Sequence, residues 1–168
     1  MVIGDGAHWI WNQAQNHWPE AVQILDFWHV KDHIWELGNA LWGEGTKKTK
    51  RFVGYKLDQI AAGKVGMVIK ALSKLEVTGD EKAEILRQTI GYLRTNRHRM
   101  KYPKYKKKGY HIGSGVVESA CKQFGARLDG AGMRWTERGA GAIAALRALK
   151  LSGRWDAYWQ PVRQPLLA

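Results

Sequence analysis

The chain has a single cysteine, no apolar run long enough to span a membrane, and few acidic residues to set against its basic ones. Each shortage closes off a class of protein. One cysteine, Cys121, cannot build an internal disulfide framework or a cysteine-based zinc site, and it fits a reducing compartment. No stretch approaches the roughly 20 apolar residues of a spanning helix, and the first residues lack the layout of a secretory signal, so no membrane role is expected. Fifteen Asp and Glu against 27 Lys and Arg leave a formal charge of +12, far from the near-neutral balance of an ordinary soluble domain. The expected partner is a polyanion, and without a membrane segment that means nucleic acid. No internal repeat is present, and the one biased segment is rich in lysine.

What is present suffices for a folded core: 168 residues, 45% of them hydrophobic, with nine tryptophans. Met1–Gly4 and Ala21–Leu25 are short apolar runs that stop at aspartates and predict buried strands. Ala7 to Trp18 between them has helical spacing and ends at Pro19, which makes a β-α-β unit and hence parallel strands. Two strands alone are only marginally stable, so the strand at residue 1 predicts a start inside a larger domain. From Asp26 the pattern is helical. Val30, Ile34, Leu37 and Leu41 predict a helix ended by Gly43 and Gly45, and the basic stretch Lys47–Arg51 opens a second region with a break near Gly63 or Gly66. Asp80 is expected to cap a helix running toward Arg99, with Pro103 beyond its end. Ser114 is a candidate cap for a helix striped by Val117, Cys121, Phe124 and Leu128, and a last helix covers about Glu137 to Leu151. The fold class is α/β and mostly helical.

Four groups carry possible chemistry. Asp5, in Gly4-Asp5-Gly6, would project from a strand end, where open α/β sheets bind ligands; Asp-Gly is equally ordinary turn chemistry. Glu118 sits early in its helix. The helix dipole or a pairing with Lys122 would explain it, but it falls one place too late to complete a capping box with Ser114. Asp26 and His29 close the second strand as Asp-Phe-Trp-His, and Asp26 is also a natural helix cap. His29 and His33 have zinc-binding spacing, yet Val30 stands where the peptidase motif needs Glu. The basic run supplies Arg97, Arg99, Lys101, Lys104, Lys106, Lys107 and Lys108, interleaved with Tyr102, Tyr105 and Tyr110. Phosphate-binding cations there stand beside aromatic faces that bases can contact, and Arg127, Arg134, Trp135 and Arg138 form a second such group.

In order and wording these segments resemble Mutator-like DDE transposases of bacterial insertion sequences. The matching stretches are Gly-Asp-Gly-Ala-x-Trp-Ile-Trp (4–11), Ile-Leu-Asp-Phe-Trp-His (24–29), Ile-Gly-Ser-Gly-Val-Val-Glu-Ser-Ala-Cys-Lys (112–122) and Gly-Met-Arg-Trp (132–135). The resemblance implies that Asp5 is the second catalytic aspartate, Glu118 the catalytic glutamate, and Asp26 with His29 the signature between them. It also implies a partial RNase H-like fold: residues 1–29 as the last two strands of the catalytic core, 30–100 as an all-helical insertion, and 101–168 as the basic segment, glutamate helix and C-terminal helices. Its site would hold two Mg²⁺ (or Mn²⁺) ions between three carboxylates and act on transposon ends and target DNA. The full-length protein would be a homo-oligomer acting in the cytoplasm near the nucleoid, with no membrane and no small-molecule substrate. The family's first aspartate has no candidate in this chain. The expectation is therefore a truncated transposase with little activity of its own, with a non-catalytic basic nucleic-acid-binding remnant as the alternative.

Overall fold

The computed structural model describes residues 1–163, except for the side chains of residues 116–118, 120 and 161–163. It is mostly helical, 66%, with one small parallel sheet of two strands. Strand β1 (Val2–Gly4) pairs in register with β2 (Gln23–Leu25), Gly4 opposite Leu25, and helix α1 (His8–His17) makes the crossover. The β-α-β unit is as expected, although the second strand is shorter than the apolar run Ala21–Leu25.

Four helices follow, three of them long. Helix α2 (Phe27–Trp42) is capped by Asp26, and α3 (Lys47–Ala61) by the Thr46 hydroxyl, which accepts the Thr49 amide at 3.1 Å. Chain reversal after α3 occurs at Gly63, where φ is +77°; Gly66 lies inside α4 (Val65–Leu72). Helix α5 (Asp80–Asn96) begins one residue earlier than expected. Asp80 is its first helical residue and serves the dipole there, while Gly79, at φ +99°, holds the cap position. The helix tightens into a 3-10 turn at Arg97–Arg99 and stops.

Sequence periodicity missed α6 (Tyr102–Lys107). Pro103 stands in its first turn, and Tyr102 and Tyr105, three apart, fall on one face. Both tyrosines are buried, Tyr102 completely. Their hydroxyls donate to the Leu25 and Gln23 carbonyls at 3.1 and 3.4 Å. These carbonyls alternate with the Val22 and Asp26 groups that bond β1, so α6 covers the other edge of β2. The expectation that Tyr102 and Tyr105 offer open faces to bases is corrected by this burial.

Residues 1–114 form one compact unit around a core of Ile24, Leu25, Val30, Ile34, Leu37, Val53, Ile60, Leu72 and Leu93, each essentially inaccessible. Residues 115–168 form the second unit, with α7 (Gly115–Gly125), α8 (Glu137–Leu151) and α9 (Trp155–Arg163). Thr136 caps α8, the Arg147 guanidinium donates to the Gln123 carbonyl at 2.7 and 3.1 Å, and the Trp135 indole donates to Leu128 at 3.0 Å. The expected stripe on α7 is interrupted. Cys121 is exposed and Leu128 lies past the helix end, leaving Phe124 half-buried, while Val117 lies outside the described side chains.

Candidate functional site

Parallel pairing sets Asp5 and Asp26 side by side, each the first residue beyond its strand, at the carboxyl edge of the sheet. The Asp26 amide donates to the Gly4 carbonyl at 2.8 Å, which ties the two strand ends together. Their carboxylates then differ. Asp5 is half-buried, and its Oδ1 accepts the Ala7 amide at 2.8 Å, while its Oδ2 takes no hydrogen bond among the described residues. Asp26 is 1% exposed and fully engaged: Oδ1 accepts the Trp28 amide at 2.8 Å, and Oδ2 accepts the Ser114 amide at 3.1 Å and faces His29 Nδ1 at 3.3 Å.

Both glycines around Asp5 are imposed by packing. A Cβ on Gly4 would lie 2.9 Å from Ile10 Cγ2, and one on Gly6, which has φ +106°, would lie 2.7 Å from the Tyr92 ring. The Tyr92 hydroxyl donates to the Asp5 carbonyl at 2.7 Å. Burial first, and then the nearby negative charges of Asp5, Asp26 and Asp32, push the Tyr92 phenol well above its usual range, so it stays a protonated donor. Asp5, Asp26 and Asp32 thus gather around Tyr92 in a chain whose net charge is +12.

Asp26 also holds the segment leading to Glu118. Besides the Ser114 bond, the Phe27 amide donates to the Ile112 carbonyl at 2.8 Å, and a Cβ on Gly113 would lie 2.7 Å from the Trp28 indole. Residues 112–114 are thereby fixed against the start of α2, one residue before α7. The Glu118 side chain lies outside the described residues.

His29 and His33 each have one ring nitrogen turned to a carboxylate of α2 or its cap. His29 turns Nδ1 to Asp26, whereas the His33 ring lies 4.0 Å from the Tyr92 ring and its Nδ1 is 3.8 Å from Glu36. Desolvation lowers the His33 pKa below 6.5 against the opposing pull of Glu36 and Asp32. Among the described residues no group of three or more His, Cys, Asp or Glu is arranged to hold a metal. Judged by donor chemistry, Asp5 fits one ligand position for a hard cation through Oδ2, whereas Asp26 is buried with each oxygen accepting a backbone amide.

The basic run divides by exposure. Lys101, Lys104, Lys106, Lys107 and Lys108 are exposed on or beside α6, whose tyrosines are buried, and Arg97 is exposed at the preceding turn. Arg99 is engaged within the fold: its guanidinium lies 4.3 Å from the Trp11 ring, with hydrogen bonds to Gln23 at 2.9 Å and Asn96 at 3.3 Å. Arg127, Arg134 and Trp135 are exposed in the second unit. Sequence reasoning missed Tyr92, whose signal was its place on the inner face of a helix already recognised. It also missed the role of Arg99, which no spacing announces because its partner Trp11 is far away in the chain.

Fold and site together describe a mostly helical α/β protein with paired aspartates at the ends of two parallel strands and a lysine-bearing helix covering the sheet edge. The chain belongs to the uncharacterised protein family UPF0236, whose family model matches residues 1–162. No curated protein and no solved structure matches it. Among the described residues no helix is long and apolar enough to cross a membrane.

Proposed function

We propose that this chain is the C-terminal part of a DDE transposase with an RNase H-like core, supplying the second aspartate, Asp5, and the glutamate, Glu118, of a three-carboxylate site. The observation that carries the reading is the strand-end arrangement. Asp5 stands at the carboxyl edge of a parallel sheet with one oxygen free among the described residues, and Asp26 beside it pins the segment that leads into the glutamate helix. That division of labour gives the Asp-x-x-His signature a structural task, with Asp26 as a positioning residue and His29 its partner. Bound divalent ions would supply Lewis acidity toward a phosphodiester and stabilise its leaving oxygen. Asp5 and Glu118 would hold them, and the exposed lysines of α6 would neutralise phosphates of the DNA.

Two carboxylates bind a hard cation more weakly than three and leave a coordination position unfilled by protein. The chain alone is therefore expected to bind duplex DNA without joining strands. In a cleavage and strand-transfer assay with Mg²⁺ or Mn²⁺, the expected result is binding without product. Clear cleavage abolished by Asp5→Ala would overturn the two-carboxylate account. Binding that depends steeply on salt, with no response of metal affinity to Asp5 or Glu118 substitutions, would favour the alternative of a basic nucleic-acid-binding protein without catalysis.

A further inference from the structure

Away from the strand ends, the last turn of α2 and the first turns of α3 enclose an open cleft of about 540 Å³ lined by Trp42, Lys48, Arg51, Phe52 and Tyr55. Lys48, Arg51, Phe52 and Tyr55 recur at i, i+3, i+4 and i+7, one face of α3. The cleft is preformed by its turn. The Thr49 hydroxyl donates to the Gly43 carbonyl at 2.7 Å and accepts from Thr46 at 2.9 Å, and at Gly38 the helices approach so closely that a Cβ would lie 2.9 Å from Val53. Trp42 and Phe52 meet with ring centroids 4.6 Å apart and planes at 59°, a wall rather than a stack, while Tyr55 is 61% exposed. Behind them Lys56 is buried, its ammonium 5.7 and 5.5 Å from the Phe52 and Tyr55 rings, with no ion-pair partner among the described residues. Among the described residues no acidic side chain lines the cleft.

We infer that this cleft takes an unpaired nucleotide, its base against Trp42, Phe52 and Tyr55 and its phosphate on Lys48 and Arg51. The volume falls within the roughly 300–1,000 Å³ of small-ligand sites. Aromatic walls need the flat face of their ligand, and a base exposes that face only when it is unpaired and unstacked; in a duplex only the edges are open. Cations at the rim with no carboxylate among the lining residues select an anionic ligand, and the buried Lys56 adds to the same field. The inference rests on the nucleic-acid reading above and narrows it to a single-stranded element bound by the helical region.

Two probes separate the claims: a short oligothymidylate and a blunt duplex of equal length, with dTMP as a third arm to distinguish a free nucleotide from a strand. Tyr55→Ala and Arg51→Gln change exposed side chains and are expected to weaken oligothymidylate binding roughly 5- to 150-fold while leaving duplex binding unchanged. The oligothymidylate is expected to bind more tightly than dTMP, and the reverse order would assign the cleft to free nucleotides. An oligonucleotide carrying 5-iodouracil is expected to crosslink at Trp42, Phe52 or Tyr55. Duplex binding with an unaltered single-strand affinity in both variants, or crosslinks only elsewhere, overturns this inference and leaves the nucleic-acid reading standing. Failure of both probes to bind removes the reading itself. Self-association abolished by Tyr55→Ala, with oligothymidylate binding intact, assigns the cleft to a second copy instead.

Discussion

At the scale of the residue, Asp26 and Asp5 show how one residue type takes different work from its surroundings. Asp26 caps α2 and receives the Ser114 amide and His29 with the same carboxylate, so Asp26→Ala removes a cap and orphans a distant N–H. The expected loss in a urea titration is about 2–4 kcal/mol, from roughly 1 for the cap and 1–3 for the unpaired donor. Asp5→Asn, which disturbs one local bond, is expected to cost less than about 1 kcal/mol. Equal destabilisation by the two would remove the distinction between a positioning and a ligating aspartate. His33 makes a pH prediction. Its folded pKa is held below the unfolded value of 6.5 by desolvation, so the fold favours the neutral ring. The stability this contributes is complete above pH 6.5 and is lost as the pH falls from there through the depressed folded value. His33→Phe, which keeps the ring against Tyr92, should flatten the fall in denaturation midpoint below pH 6.5; an unchanged fall would place the titration elsewhere.

At the scale of the element, α6 has two faces with separate tasks. Tyr102 and Tyr105 cover the edge of β2, and the lysines between and after them face solvent. Tyr102→Phe leaves the Leu25 carbonyl without its donor and should lower stability by about 1 kcal/mol with little effect on DNA affinity. Neutralising Lys106, Lys107 and Lys108 should do the opposite, leaving the thermal midpoint unchanged and weakening DNA binding. A loss of stability in the lysine variant, or of DNA affinity in the tyrosine variant, would show the two faces to be coupled. This helix also marks where sequence reading stops. Helices α2 to α5 were legible because their apolar residues repeat over several turns, and β1 and β2 because each apolar run halts at an aspartate. In α6, six residues hold only two inward positions, too few to make a period, and dense lysine resembles a solvated loop. Helix α9 is hidden the same way, a short helix with a proline, Pro161, inside it.

At the scale of the whole molecule, the charge of +12 and the acidic strand ends act in opposition, since the chain repels cations at long range while gathering negative charge at one place. Duplex affinity is expected to fall linearly with the logarithm of salt concentration, and removing the three lysines should reduce that slope by about 2 to 3. Of the proposed site, Asp5 and the pinned segment 112–114 were readable as motifs. The reason for the pinning was not, because it depends on one aspartate reaching a backbone amide far along the chain.

Asp5 and Glu118 are proposed to hold a divalent ion together. Mn²⁺ added to the isotope-labelled protein should broaden the amide resonances of residues 4–7 and of residues around 118 together, at the same metal concentration, and Asp5→Asn should abolish both effects. Broadening confined to one of the two segments, or unchanged in Asp5→Asn, would contradict the account.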